Sequence, residues 1–136
     1  MVIAALLSFP GCAGTPEAPT SMRVEFDVFS GQPNPAWELS AQEAAELARR
    51  LADLPRHDQT AAEGGLGYRG FVISNPQKIP GLPVELRVYR GVLTVPGQGG
   101  ALSYGDVNRI EQWLLEQAGQ RGYGDLVDQA VRTAPR

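Results

Sequence analysis

Apolar and polar positions alternate most cleanly from Arg23 to Phe29. Val24, Phe26 and Val28 fall on one side of an extended chain and Arg23, Glu25 and Asp27 on the other, which predicts a strand with one buried and one wet face. Gly67 to Asn75 predicts a second strand, and near-continuous apolarity from Phe71 to Ile73 makes it a more central one. Strict alternation there groups Tyr68, Gly70 and Val72 against Arg69, Phe71 and Ile73. Glu85 to Arg90 reads as a third strand, with Leu86 and Val88 on one side and Glu85, Arg87 and Tyr89 on the other. Val92 to Val95 either continues it or returns as a fourth strand across Arg90-Gly91, which lacks the favoured Asn-Gly or Asp-Gly turn chemistry.

Between Ser40 and Leu54 the period becomes helical. Ala44, Leu47, Ala48, Leu51 and Leu54 make one stripe. Ser40 and Glu43 have capping-box spacing, Glu46 and Arg50 are an i,i+4 pair, and Pro55 ends the run. Ser103 to Ala118 predicts a second helix, capped by Ser103 with Asp106 or by Asp106 at a later start. Val107, Ile110, Trp113, Leu114 and Ala118 would line its buried side, and Gly119 and Gly122 would terminate it. Asp125 to Arg132 predicts a short third helix docked by Leu126, Val127, Ala130 and Val131. The expected fold is α+β: a small antiparallel sheet of three to four strands with two to three helices packed on one face. It would form a single domain over residues 22–133, followed by a frayed tail, 134–136.

The most distinctive loop is Ser30 to Pro35, SGQPNP. Pro33 and Pro35 fix their own φ and hold Gln32 and Asn34 extended, so the loop is stiff. Ser30, Gln32, Asn34 and the nearby Trp37 form a candidate binding loop, since a pre-ordered surface costs little entropy to engage. The alternative is turn architecture, with Asn34 capping its own turn and Trp37 sealing the core edge.

Other candidate chemistry is sparse. Glu25 and Asp27 share a strand face and could serve acid/base work or hold a cation; the solvated side of a strand explains them equally. His57 is the single histidine and stands beside Asp58, but neighbours on an extended chain point apart and zinc has no second histidine to use. Gly97 to Gly100 is not followed by the lysine and helix start of a phosphate loop. No catalytic residue, metal site or cofactor is expected.

Residues 1–11 are an apolar leader, broken by Pro10 and Gly11, and Cys12 follows at once. The chain then turns polar and proline-rich through Ser21, as a spacer would. The opening run of nine residues, apolar apart from Ser8, falls far short of the about 20 that span a bilayer. This layout resembles a bacterial lipoprotein precursor, with Gly11-Cys12 at the core of the motif. The resemblance implies cleavage before Cys12, lipid attached at that residue, a tether over 12–21, and an exported protein anchored at the cell envelope. The same segment could instead be a non-lipidated secretory signal, or a first strand or helix with Cys12 as a small buried residue.

Composition narrows the function classes. Net charge is −3 with scattered basic residues, which argues against a nucleic-acid partner. With one cysteine there is no intrachain disulfide, so the core alone must hold the fold. The expected function is an envelope-anchored, non-enzymatic domain that binds a protein, peptide or cell-wall component. The alternatives are a structural or accessory lipoprotein subunit without a small-ligand site, and a hydrolase using Glu25, Asp27 or His57. The hydrolase requires those side chains to converge in a cleft with Ser30 or Asn34.

Overall fold

The computed structural model describes residues 19–59 and 66–133. The leader, Cys12, most of the spacer and the tail 134–136 lie outside them. Ten elements follow in order: β1 (Pro19–Phe26), β2 (Ala36–Ser40), α1 (Ala41–Leu51), β3 (Phe71–Ser74), β4 (Glu85–Tyr89), β5 (Val92–Val95), β6 (Leu102–Gly105), α2 (Ile110–Ala118), a π turn (Gly119–Tyr123) and α3 (Gly124–Thr133). The strands form one antiparallel sheet in the order β2-β1-β3-β4-β5-β6.

The expected sheet of three to four strands with two to three helices is therefore corrected. The sheet has six strands, and helix falls in two places: α1, and a C-terminal run in which a π turn joins α2 to α3. Two strands lay in stretches read otherwise. Ala36–Ser40 is only five residues and was hidden between the SGQPNP loop and α1; register with β1 (Arg23↔Glu38, Val24↔Trp37) makes it a strand. Leu102–Gly105 pairs with β5 through Leu93↔Tyr104 and Thr94↔Ser103, so Ser103 is a strand residue and not a helix cap. Asp106 takes the capping role instead, its carboxylate accepting from the Ile110 and Glu111 amides at 2.7 and 2.8 Å. Val107, expected inside, precedes the helix and is 63% exposed.

Arg90-Gly91 proves to be a hairpin turn. Both residues have positive φ, 52° and 75°, as a type I′ turn requires, and Asp106 N–H donates to Gly91 O behind it. β1 also starts earlier than alternation suggested, at Pro19, with a register shift before Arg23. There the Thr20 hydroxyl donates to Leu39 O and accepts from Met22 N–H.

The inner face of the sheet carries Val24, Phe26, Phe71, Ile73, Val88 and Leu93, all buried. α1 covers it with Ala44 and Leu47, α2 with Ile110, Leu114 and Ala118, and α3 with Ala130. Fully burying one of the larger of these side chains stabilises the fold by about 1.5–3 kcal/mol. Gly119 does not stop α2; the backbone passes through the π turn and breaks at Gly122, where φ is 94°. The buried Asn75 binds the following connector, donating to Ile79 O and Leu82 O and accepting from Ile79 N–H.

The capping box of α1 is complete, with Ser40 Oγ accepting from Glu43 N–H and Glu43 from Ser40 N–H. Arg121 from the π turn donates to the same carboxylate at 2.9 Å. Partial burial works against the charge on Glu43. The Ser40 amide and the Arg121 guanidinium outweigh it and hold the carboxyl below its ordinary value. A lowered folded-state pKa contributes stability above the unfolded value, and that stability is lost as pH falls through the folded one. Glu43→Gln should therefore cost about 1 kcal/mol at pH 7. The gap to wild type should narrow as pH falls through the lowered folded-state value, where the glutamate itself is protonated. Urea unfolding at pH 7 and pH 3 measures this; a gap undiminished at pH 3 would count against it.

Candidate functional site

β1 runs out of the sheet into the Ser30–Pro35 loop, and Asn34 ties the two together. Its Oδ1 accepts from the amides of Val28 (3.0 Å) and Phe29 (2.7 Å). Its Nδ2 donates to Glu25 Oε1 (3.0 Å) and Asp27 Oδ1 (3.2 Å). An asparagine amide offers two donors and two acceptor lone pairs, so its capacity is fully used.

Arg69 closes the cluster from the segment before β3. Its Nε and Nη2 grip Asp27 at 3.2 and 2.5 Å, Nη2 also donates to Phe29 O (2.7 Å), and Nη1 reaches Ser30 Oγ (3.3 Å). These bonds to Asp27 push the guanidinium pKa above its ordinary value. Arg69 reaches this face because Gly70 interrupts the alternation. Arg69 N–H donates to Asp27 O and Asp27 N–H to Gly70 O, so two residues of one strand oppose one of the other, as in a bulge. The expected grouping of Tyr68 with Val72 is thus corrected: Tyr68 packs edge-on against Phe26 and Phe71 in the core.

Of the candidate loop residues, Ser30 and Gln32 are exposed at the tip together with Gly31 and Pro33, while Asn34 is half-buried and engaged internally. Trp37 stands apart, on the inner side of β2. Its indole N–H donates to Gln117 Oε1 (2.9 Å), its ring stacks on Tyr123 (centroids 6.2 Å apart), and Arg121 lies over it at 5.4 Å. Trp37 therefore joins β2 to α2 and the π turn. Gln117 is 4% exposed, and its Nε2 has no hydrogen-bond partner among the described residues.

Glu25 and Asp27 do converge with Asn34 and, through Arg69, with Ser30. The carboxylates meet an amide and a guanidinium there, and Ser30 Oγ has a guanidinium beside it instead of a base. His57 lies elsewhere: its N–H donates to Ser103 O at 2.9 Å, beyond β6 at the opposite edge of the sheet, and its Nδ1 sits 3.2 Å from Gln59 N. Among the described residues no group of three or more His, Cys, Asp and Glu is arranged to hold a metal ion. No helix among them is long and apolar enough to cross a membrane.

Sequence reasoning missed a second polar link. The Tyr68 hydroxyl donates to Glu111 Oε1 at 2.6 Å, and Glu111 Oε2 accepts from Gly91 N–H. Burial first, then the Glu111 charge, push the phenol pKa far up, so it stays protonated and ties the segment before β3 to α2, while Glu111 itself pins α2 to the β4–β5 turn. No local signal connects Tyr68 to a residue so distant in sequence.

Hollows among the described residues include two beside the sheet. A cleft of about 380 Å³ opens between the end of α1, the 79–84 connector and β4–β6, walled by Leu51, Leu54, Pro83, Leu86 and Leu93, with Asp53 and Tyr104 also lining it. A smaller one, about 290 Å³, lies beside the loop between Phe29, Tyr68 and α3. Comparison of the chain with protein-family models, with curated proteins and with solved structures returned no match.

Proposed function

We propose that the chain is an envelope-anchored, non-enzymatic domain that binds a protein, peptide or cell-wall component through the tip of the Ser30–Pro35 loop. The observation that carries this reading is a division of labour within the loop. Asn34 and Arg69 spend their hydrogen bonds holding its base, while Gly31, Gln32 and Pro33 stand exposed and have no partner among the described residues. A tip held that way loses little entropy on binding. The anchor, in this reading, is lipid attached to Cys12, which places the domain outside the cytoplasm on a membrane-bound tether. The accessory-subunit alternative draws support from Trp37, whose ring and N–H are both committed to packing.

The test is a photo-cross-linker placed at Gln32 in the native host, with Gln42, an exposed glutamine on α1, as control. A discrete adduct from position 32 and none from position 42 is the expected result. Equal labelling, or none at either position, would favour the accessory subunit. An intact mass beginning at Cys12 with diacylglyceryl-sized added mass would support the anchor independently.

A further inference from the structure

We propose that the hollow beside the loop seats one bulky apolar side chain of an extended peptide whose backbone pairs with the Gly31–Pro33 tip. This deepens the binding reading and rests on it. Among the described residues the hollow is lined by Val28, Phe29, Gly67, Tyr68, Leu126, Gln129 and Ala130, and none of these is charged. A wall without charge accepts a neutral apolar group and rejects an ionic one, because a buried unpaired charge is costly. About 290 Å³ is at or below the small end of ligand pockets, which suits a single side chain better than a drug-sized molecule or a long acyl tail.

Phe29 makes the hollow and the tip one surface. Its carbonyl is held by Arg69 and its amide by Asn34, so its ring lines the hollow while the next residues form the tip. Gly31 and Gln32 present backbone N–H groups, and Gly31, Gln32 and Pro33 present carbonyls, none with a partner among the described residues. Free main-chain donors and acceptors next to an apolar seat match a peptide, which brings the complementary backbone and the side chain in one molecule. A saccharide would match the tip but leave the seat empty; a hydrocarbon would match the seat but leave the tip unsatisfied.

The probe is N-acetyl-phenylalaninamide, titrated into the full chain labelled for amide and methyl NMR, with N-acetyl-glycinamide and toluene as comparators. The expected result is saturable shifts at the Leu126 and Ala130 methyls and the Gly31 and Gln32 amides, with a dissociation constant of about 1 mM. N-acetyl-glycinamide should bind at least tenfold more weakly. Leu126→Trp should fill the seat and remove the shifts; Gln129→Trp, on the exposed rim, gives the same readout if the first variant does not fold. Scattered or non-saturating shifts overturn the proposal. Toluene binding as tightly as the phenylalanine amide overturns it too, since the tip would then contribute nothing. Cross-linking at Gln32 reads the loop independently: an adduct without seat binding refutes the seat and leaves the binding domain standing. Seat binding by the probe without an adduct refutes the loop's role and, with it, this proposal.

Discussion

Gly70→Ala is expected to abolish folding. Gly70 has φ of 88°, and a Cβ built on it would lie 2.0 Å from Val88 O and 2.8 Å from Tyr89 Cβ. The nearest obstacle is the backbone of β4, which is paired on both sides in the middle of the sheet and cannot retreat without breaking β3–β4 or β4–β5 pairing. Two effects add: a left-handed conformation costs a non-glycine residue about 1–2 kcal/mol, and the collision costs more than that again. The total, about 4 kcal/mol or above, is a large part of the stability of a domain this size. Gly31→Ala separates the two terms, because Gly31 has φ of 77° and nothing near its Cβ. It should lower stability by only about 1–2 kcal/mol. Circular dichroism with urea titration of both variants decides the matter. A Gly70→Ala protein that melts close to wild type would mean that β3 and β4 do not approach this closely.

That close approach also shows which parts of the fold were legible in sequence. Alternation placed Val24 and Phe26 on a buried face and Leu86 with Val88 on a common face, and the capping box located the start of α1, because both signals depend on near neighbours in the chain. Gly70 was read only as a strand position. Its consequence, that Arg69 turns to Asp27 and Tyr68 to the core, depends on what β1 and β4 present to it. β2 and β6 were missed for a related reason. Five and four residues are too short for a period to register, and both are strands because of a partner elsewhere, β1 in one case and β5 in the other. Ser103 and Asp106 matched a helix start locally, and cross-strand pairing overrode the match for Ser103 while Asp106 kept its role.

The candidate site divides along the same line. Rigidity of the SGQPNP loop followed from its two prolines and was readable. The identity of what holds it was not: Arg69 is far from Asn34 in sequence, and nothing local marks it. Asn34 was read with the binding residues because it sits in the loop, but its amide faces Glu25 and Asp27. Trp37, grouped with it by proximity in the chain, points to α2 on the opposite face of the sheet.

The sharpest consequence of that geometry is the behaviour expected of Asn34→Asp. The substitution changes one NH₂ into an oxygen. That oxygen would replace the donor now 3.0 Å from Glu25 Oε1 and 3.2 Å from Asp27 Oδ1. Two hydrogen bonds become two contacts between like charges in a half-buried site, a loss of about 3–5 kcal/mol at neutral pH. Crowded carboxylates resist ionising together, so the new carboxyl should titrate higher in the folded chain than the ordinary aspartate value of about 3.9. A raised folded-state pKa means that the penalty is smallest at low pH and grows as pH rises through it. The protonated acid can still donate one hydrogen bond, so the variant should recover much of its stability near pH 4. Asn34→Ala provides the contrast. It orphans the Val28 and Phe29 amides at every pH, and its deficit should lack this dependence, since no titrating group is added. Urea midpoints of both variants at pH 4 and pH 8, each referred to wild type at the same pH, test the arrangement directly. Equal deficits for Asn34→Asp at the two values would mean that the amide does not stand between the carboxylates, and the rigid base on which the exposed tip depends would be lost with it.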